Sequence, residues 1–252
     1  MTVNLKGNVR YDGTNFSGWQ VQPHVRTVQG ELERCLTQIA GQNIRVVGAS
    51  RTDAGVHALQ QVFSFRWPST KPYATLPRSL SSMLAPEINV FGVEQVDDNF
   101  HARFSAKKKR YVYSLVQRCT IDPFLARYAW HIPWDLDRGL LQKLTEKLCG
   151  TRDFSGFQSA GSPSGSTVRT LYRVEVSDGC AISPFDVKDA WQIVFEGDGF
   201  LYHMVRNIVG TLVEIARGKR TESWLEERLE SSGPFVGLTA PAHGLTLVSV
   251  SY

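Results

Sequence analysis

The fold of this chain is decided around residues 44–65, which read IRVVGASRTDAGVHALQQVFSF. Apolar residues at 44–47 and at 61–65 predict two strands, and the segment between them contains Gly48 and Gly55, which permit a sharp turn. Arg51 and Asp53 are two residues apart, so on an extended segment their side chains point to the same face. The sequence therefore predicts a carboxylate held in a tight loop beside a cation. The simpler interpretation is a β-turn in which Asp53 bonds its own backbone.

Length and composition indicate a globular protein with one large domain or two small ones. The chain has 252 residues, 42% of them hydrophobic and 21% charged, and no apolar run long enough to cross a bilayer. The N-terminus lacks the character of a signal or transit peptide. Six histidines and four cysteines are scattered without an HExxH motif or metal-type spacing, which favours free thiols, a cytoplasmic setting and no metal. The net charge of +4 mildly favours a polyanionic partner.

Hydrophobic periodicity predicts the same order of elements, β-α-β-β-α-β, in both halves of the chain. In the first half, the predicted elements occupy residues 3–11, 27–40, 44–47, 61–65, 76–84 and 88–96. In the second half, they occupy residues 110–116, 136–148, 171–176, 191–195, 201–217 and 245–250, with an extra helix at 221–229 and a Gly/Ser-rich loop at 158–167. We therefore predict an α+β fold of two ferredoxin-like, RRM-like halves, 1–105 and 106–252, whose antiparallel sheets join around a central cleft. Such sheets commonly bind RNA, although a fold alone does not establish a function.

The helix predicted at 201–217 is apolar over most of its circumference and contains Arg206 within its apolar run. A buried guanidinium without a partner is costly, so Arg206 needs a carboxylate. The candidates are Glu214, Asp198 or a residue from elsewhere in the chain. Pairing with Asp53 would keep that carboxylate ionised and fix its direction. A purely structural ion pair is the simpler explanation.

Four consecutive cations, Lys107-Lys108-Lys109-Arg110, lead into a predicted strand with Tyr111 and Tyr113 on one face. A solvated loop is the usual explanation of such a run. With Arg103 just before it and aromatic residues after it, the same run could instead follow a phosphate backbone and stack a base.

Several longer motifs occur in a fixed order along the chain. They are YDG at 11–13, GWQ at 18–20, TVQ at 27–29, RTDAGVHA at 51–58, FHARFSA at 100–106, RYVY at 110–113, GFL at 199–201, MVRNIVG at 204–210, AP at 240–241 and GL at 244–245. With these motifs the chain resembles the TruA family of tRNA pseudouridine synthases over nearly its whole length. Ser50 stands where the family usually has a glycine, so we expect a slightly different loop backbone there.

The resemblance implies a role for each candidate residue. Asp53 is similar to the family's catalytic aspartate, and Arg206 to the arginine that pairs with it. Tyr111 is similar to the tyrosine packed against the flipped base, and it is a candidate general base. Leu245 resembles an apolar wall of the base pocket, and Arg51 an arginine that helps to extrude the nucleotide. The resemblance also implies uridines of the tRNA anticodon stem-loop as substrate, no cofactor, and a homodimer.

The chemistry agrees with this residue set. Pseudouridine is an isomer of uridine in which a C–C bond to the same base replaces the glycosidic C–N bond, so no co-reactant is needed. The reaction requires an ionised carboxylate, a flipped base and a closed pocket in which the detached base rotates. The sequence leaves open whether Asp53 attacks the ribose C1′, attacks the base C6 or assists formation of a glycal. A catalytically silent RNA-binding module and a synthase for another RNA are the alternative functions, and the set of Asp53, Tyr111 and Arg206 argues against the first.

Overall fold

The computed structural model describes residues 1–118, 120, 122–161, 165–182 and 189–252, so Cys119 and part of the predicted loop at 158–167 lie outside the described residues. The chain divides into two compact units, Met1–Lys107 with Leu247–Tyr252 (unit 1) and Lys108–Thr246 (unit 2). Each unit contains both strands and helices, and the predicted α+β class is confirmed. The described cysteines are free thiols: Cys35, Cys149 and Cys180.

Helices and strands follow the chain largely as the periodicity predicts. They are β1 (Thr2–Tyr11), α1 (Val28–Ala40), β2 (Val46–Gly48), β3 (His57–Pro68), α2 (Leu76–Leu84), β4 (Ile88–Gln95), β5 (Lys108–Gln117), β6 (Trp130–Ile132), α3 (Arg138–Glu146), β7 (Gly150–Asp153), β8 (Val168–Asp178), β9 (Ala190–Gly197), α4 (Met204–Ala216), α5 (Ser223–Glu230) and β10 (Leu245–Ser251). The bounds of α2 are those predicted, and β3 is longer than predicted. Periodicity does not reveal β6 and β7, because they have three and four residues and β7 is exposed throughout.

In unit 1 the strand order is β4-β1-β3-β10, with β2 paired to β3. The side chain of Thr27 caps α1 as predicted, because its Oγ1 accepts the amide hydrogen of Gly30 at 3.2 Å. Phe63 in β3 lies opposite Gly7 in β1. A Cβ on Gly7 would come within 2.3 Å of the Phe63 ring, so the glycine leaves the space that this buried ring fills.

In unit 2 the strand order is β5-β9-β8-β7, with antiparallel neighbours, and β6 pairs with β5 in parallel. Helix α4 is buried along nearly its whole length, as its apolar circumference predicts, and Ile208 and Leu212 are completely covered. Asp137 caps α3 by accepting the amide hydrogen of Leu140 at 2.9 Å. Helix α3 packs against β8 and α4.

The last strand groups mainly with the first unit. The order of elements along the chain predicts residues 245–250 in the second half, whereas Leu247–Tyr252 belong to unit 1, where β10 lies beside β3. The hydroxyl of Tyr252 donates to the carbonyl oxygen of Ala102 at 2.7 Å. Local periodicity cannot assign this strand, because its pairing joins residues far apart in the chain.

Candidate active site

Asp53 lies on the bend between β2 and β3, as predicted. Buried Thr52 separates the exposed Arg51 from the partly buried Asp53, which is the alternation expected if Arg51 and Asp53 point to one side of an extended segment. The bend closes where the amide of Val56 donates to the carbonyl oxygen of Asp53 at 3.1 Å. Gly55, with φ of 78°, supplies the left-handed backbone that this turn needs.

The segment between β1 and α1 supports this bend. The amide of Trp19 donates to the carbonyl oxygen of Thr52 at 3.0 Å, and the hydroxyls of Tyr11 and Thr52 are hydrogen-bonded at 2.8 Å. A Cβ on Gly18 would approach the same carbonyl oxygen to 2.7 Å, so a glycine permits the close contact. These contacts give a structural reason for the motifs at 11–13 and 18–20, because residues of both motifs contact the bend that contains Asp53.

The start of the bend is fixed by Gln61, a completely buried residue that the sequence analysis does not single out. Its Oε1 accepts the amide hydrogen of Ser50 at 3.2 Å, and its Nε2 donates to the carbonyl oxygen of Ser50 at 2.7 Å. Ser50 does not have a positive φ, so a serine fits there without left-handed strain. A glutamine inside a buried apolar strand is the signal that could have identified this residue.

Tyr111 and Tyr113 are buried residues of β5 in unit 2, and their spacing places them on one face of the strand. The ring of Tyr111 packs edge-to-face on Phe200, with centroids 5.1 Å apart. The hydroxyl of Tyr113 donates to the carbonyl oxygen of Pro241 at 2.7 Å. Burial raises the pKa of Tyr113 well above its usual value, while the charge of Arg206 acts in the opposite direction. Tyr113 therefore remains a hydrogen-bond donor at neutral pH.

Arg206 lies near the start of α4 and is bound to the segment that precedes β10. Its Nε donates to the carbonyl oxygen of Ala240 at 2.8 Å, and the amide of Ala240 donates back to the carbonyl oxygen of Arg206 at 3.1 Å. Two of the predicted carboxylate partners have other contacts. Glu214 lies 3.8 Å from Arg217, and Asp198 accepts a backbone amide hydrogen of β8 at 3.0 Å.

The segment 238–240 packs closely on α4. The hydroxyl of Thr239 donates to Oδ1 of the completely buried Asn207 at 2.8 Å. Gly210 leaves room for the carbonyl group of Leu238, whose oxygen a Cβ would approach to 1.6 Å. Asn207 and Gly210 are therefore positioning residues for the segment that holds Arg206.

Leu245 follows a short 3-10 turn, Ala242–Gly244, and is 5% exposed. A Cβ on Gly244 would come within 2.7 Å of the Tyr113 ring, so this turn lies directly against β5. Within unit 2, the segment 238–245 therefore contains Leu245 and contacts both Tyr113 of β5 and Arg206.

Lys108, Lys109 and Arg110 form the start of β5, whereas Lys107 is an exposed residue just before the strand. Lys108 Nζ lies 3.1 Å from Glu196 Oε2, and Arg110 Nε lies 3.7 Å from Glu196 Oε1 in the facing strand β9. This carboxylate offsets part of the charge predicted to meet phosphates. Lys109 occupies the alternate face of the strand, together with the two tyrosines.

Two further predicted tRNA contacts, Arg103 and Lys107, are exposed residues of unit 1. No cluster of three or more potential metal ligands occurs among the residues that the structure describes. In the same part of the chain, no helix is long and apolar enough to cross a membrane.

A family model described as tRNA pseudouridine synthase matches residues 8–105 and 144–252. The chain belongs to this family. The tRNA pseudouridine synthase A of Anoxybacillus flavithermus is 42% identical over 252 residues and 98% of each chain. The protein of the same name from Thermoanaerobacter sp. is 41% identical over 245 residues and 97% of each chain. Members of the family are isomerases that act on tRNA, and the resemblance stated from the motifs is confirmed.

Among solved structures, the archaeal box H/ACA sRNP Nop10-Cbf5 complex matches 83% of this chain and 43% of that chain. The TM-score is 0.37 and the sequence identity 9%, so this match has no bearing on the activity.

Proposed function

We propose that this chain converts uridine to pseudouridine in the anticodon stem-loop of tRNA, with Asp53 as the nucleophile. The observation that carries this assignment is the bend itself. Trp19 and Gln61 donate hydrogen bonds to its backbone, and the hydroxyl of Tyr11 is hydrogen-bonded to the hydroxyl of Thr52, while Asp53 is only partly buried. A carboxylate held in this way is preorganised to attack a positioned substrate.

The atom balance of the reaction needs only the substrate and proton transfers. The bond between C1′ and N1 breaks, a bond between C1′ and C5 forms, the hydrogen on C5 leaves as a proton, and N1 gains a proton. Attack at C1′, attack at C6 and formation of a glycal all require Asp53 to be ionised. Tyr111, buried beside Phe200, is the proposed wall against the flipped base and the candidate base for the late removal of the C5 proton.

Arg206 is the proposed partner that keeps Asp53 ionised. The hydrogen bond from its Nε to Ala240 sets the direction of the guanidinium, and Glu214 and Asp198 have contacts elsewhere. A paired guanidinium lowers the free energy of an ionised carboxylate and so favours the nucleophilic form. Leu245, buried after the turn at 242–244, is proposed as an apolar wall of the base pocket.

The tRNA contacts are assigned to exposed cations. Arg51, Arg103 and Lys107 of unit 1 are the main candidates, with Lys109 beside the tyrosines. Lys108 and Arg110 are assigned a smaller contribution to tRNA binding, because the carboxylate of Glu196 lies close to both. The proposal includes a homodimer and a cytoplasmic location, which family membership supports.

The test uses an unmodified anticodon-arm transcript that carries tritium on C5 of its uridines. Forming the C–C bond displaces that hydrogen, so release of tritium reports the reaction. We expect Asp53→Asn to slow release by roughly 10³-fold or more while tRNA binding changes by less than about twofold. Asp98→Asn is the matched control, because Asp98 is an exposed aspartate of unit 1. Its ion pair with Arg66 lies at the surface and contributes little to stability.

Two outcomes would contradict the proposal. If the purified wild-type protein released no tritium but bound the transcript, the chain would be an RNA-binding module. If mass spectrometry of full-length tRNA treated with the protein located the product only outside the anticodon arm, the substrate assignment would be wrong.

A further inference from the structure

Phe104 exposes a large aromatic ring three residues before the basic run. It is 76% exposed, compared with 40% for Phe91, another surface phenylalanine of unit 1. Its ring stacks on the imidazole of His101, with centroids 4.3 Å apart and an interplanar angle of 25°. The guanidinium carbon of Arg103, which is also exposed, lies 5.5 Å from the centroid of the Phe104 ring. The aromatic ring of Phe104 and the cation of Arg103, which lies over it, are therefore presented together at the surface.

Four hydrogen bonds hold this loop in its conformation. The amides of Arg103 and Phe104 both donate to Nδ1 of His101, at 3.2 Å each. The amide of His101 donates to Ser105 Oγ at 3.1 Å, and the amide of Ser105 donates to the carbonyl oxygen of His101 at 2.9 Å. A loop that is already ordered loses little conformational entropy when it binds a ligand.

The loop is anchored in unit 1 without help from Phe104. Ala102 is completely buried; its amide donates to Ser64 Oγ at 3.2 Å, and its carbonyl oxygen accepts from Tyr252 at 2.7 Å. Nδ2 of Asn4 donates to the carbonyl oxygen of Phe100 at 2.9 Å. Stabilisation of the fold therefore does not explain why an apolar ring is presented to solvent.

An unstacked base fits this surface better than a protein does. Arg103 and Lys107, close to the ring in sequence, are exposed and charged, and Ser105 is polar, so the two direct neighbours of Phe104 in the chain add no apolar side chain to the ring. A standard protein interface buries about 800 Å² on each partner. A nucleotide needs one aromatic face for its base and a neighbouring cation for its phosphate.

We propose that Phe104 stacks on an unpaired base of the tRNA substrate and that Arg103 contacts a phosphate beside it. This inference rests on the proposed function, and it adds a stacking residue to the exposed cations assigned above.

The test measures binding of the unmodified anticodon-arm transcript by fluorescence anisotropy. We expect Phe104→Ala to weaken binding about 5- to 100-fold, the loss associated with one stacked base. Phe104→Trp should retain binding, whereas Phe104→Leu, which is apolar but has no aromatic face, should not. The slope of the logarithm of affinity against that of salt concentration should stay unchanged, because stacking releases no counterions.

Phe91→Ala is the matched control. The guanidinium carbon of Arg10 lies 4.4 Å from the Phe91 ring centroid, so this phenylalanine offers the same pair of groups elsewhere in unit 1. The Phe91→Ala variant should bind the transcript with an affinity within about twofold of that of the wild type. The unfolding midpoint of Phe104→Ala should match that of the wild type, because the removed ring is largely exposed.

Three results would overturn the inference. The first is wild-type affinity for the transcript in Phe104→Ala or in Phe104→Leu. The second is an equal loss of affinity in Phe91→Ala. The third is dissociation of the Phe104→Ala protein in sedimentation, which would assign the ring to a contact between copies of the chain. Tritium release by the wild type is a separate readout. An inactive wild type refutes the proposed function, whereas an active wild type with unaffected Phe104→Ala binding refutes only this inference.

Discussion

Replacing Gly210 with alanine tests whether the close packing of α4 against the segment 238–240 stabilises unit 2. A Cβ at this position would lie 1.6 Å from the carbonyl oxygen of Leu238, a backbone atom that a change of rotamer cannot move. Ordinary van der Waals contact begins at 3.4 Å, so the segment would have to withdraw by about 1.8 Å, the difference between the two distances.

This withdrawal would break the contacts between Arg206 and Ala240. Their two hydrogen bonds measure 2.8 and 3.1 Å, and a shift of this size takes both beyond hydrogen-bonding range. Two lost bonds at about 0.5–1.5 kcal/mol each, with about 1–3 kcal/mol of overpacking strain, amount to about 2–6 kcal/mol. Alanine is about 1 kcal/mol more favourable than glycine inside a helix. The expected net loss in free energy of unfolding is therefore about 1–5 kcal/mol.

Urea unfolding followed by circular dichroism measures this loss. Gly139→Ala is the control, because Gly139 lies in α3 of the same unit and the nearest atom to its added Cβ is a side-chain oxygen of Asp137 at 3.4 Å. We expect Gly139→Ala to stabilise the protein by up to about 1 kcal/mol. A Gly210→Ala variant as stable as the wild type, or stabilised like the control, would refute the packing argument.

Two further predictions concern pH and salt. Burial lowers the pKa of His243 below its usual 6.5; the charge of Arg206 acts in the same direction and a backbone hydrogen bond with Ala129 in the opposite one, so the unfolded chain binds this proton first. The free energy of unfolding should therefore fall as the pH drops below about 6.5. Urea titrations at successive pH values should show a smaller fall for His243→Asn. An equally steep fall in the variant would contradict the assignment of this fall to His243. For tRNA binding, Lys107→Ala should reduce the slope of log affinity against log salt by roughly 0.7–0.9, and Lys108→Ala by less, because Lys108 already faces a carboxylate at 3.1 Å. Equal slopes for these two variants would show that the ion pair does not limit the Lys108 contribution.

Much of the fold is predictable because it depends on neighbours in the chain. The spacing of apolar residues predicts α2 with its observed bounds, and Thr27 predicts the start of α1. The apolar circumference of α4 predicts its burial. The motif around Asp53 predicts a bend between two strands, because glycines and an aspartate between apolar runs favour a turn in any context.

The candidate site is predictable as a set of residues, but the contacts that position them are not. Gln61 bonds Ser50 through both ends of its side-chain amide, and the Tyr113 hydroxyl bonds Pro241. Neither contact can be predicted from a local pattern in the sequence, because each joins residues of two separate elements. Glu196 faces the basic run only because β9 pairs with β5 in one register.

The sequence by itself determined the class of elements and the family, and it predicts the candidate catalytic residues, since these depend on local spacing and on motifs that can be read along the chain. The tertiary structure decided that Leu247–Tyr252 group with the first unit, that Ala240 holds Arg206, and that Gly210 must have no side chain. The physical reason is that strand pairing and close packing join residues far apart in the chain, and the free energy of such contacts depends on distances that exist only after folding.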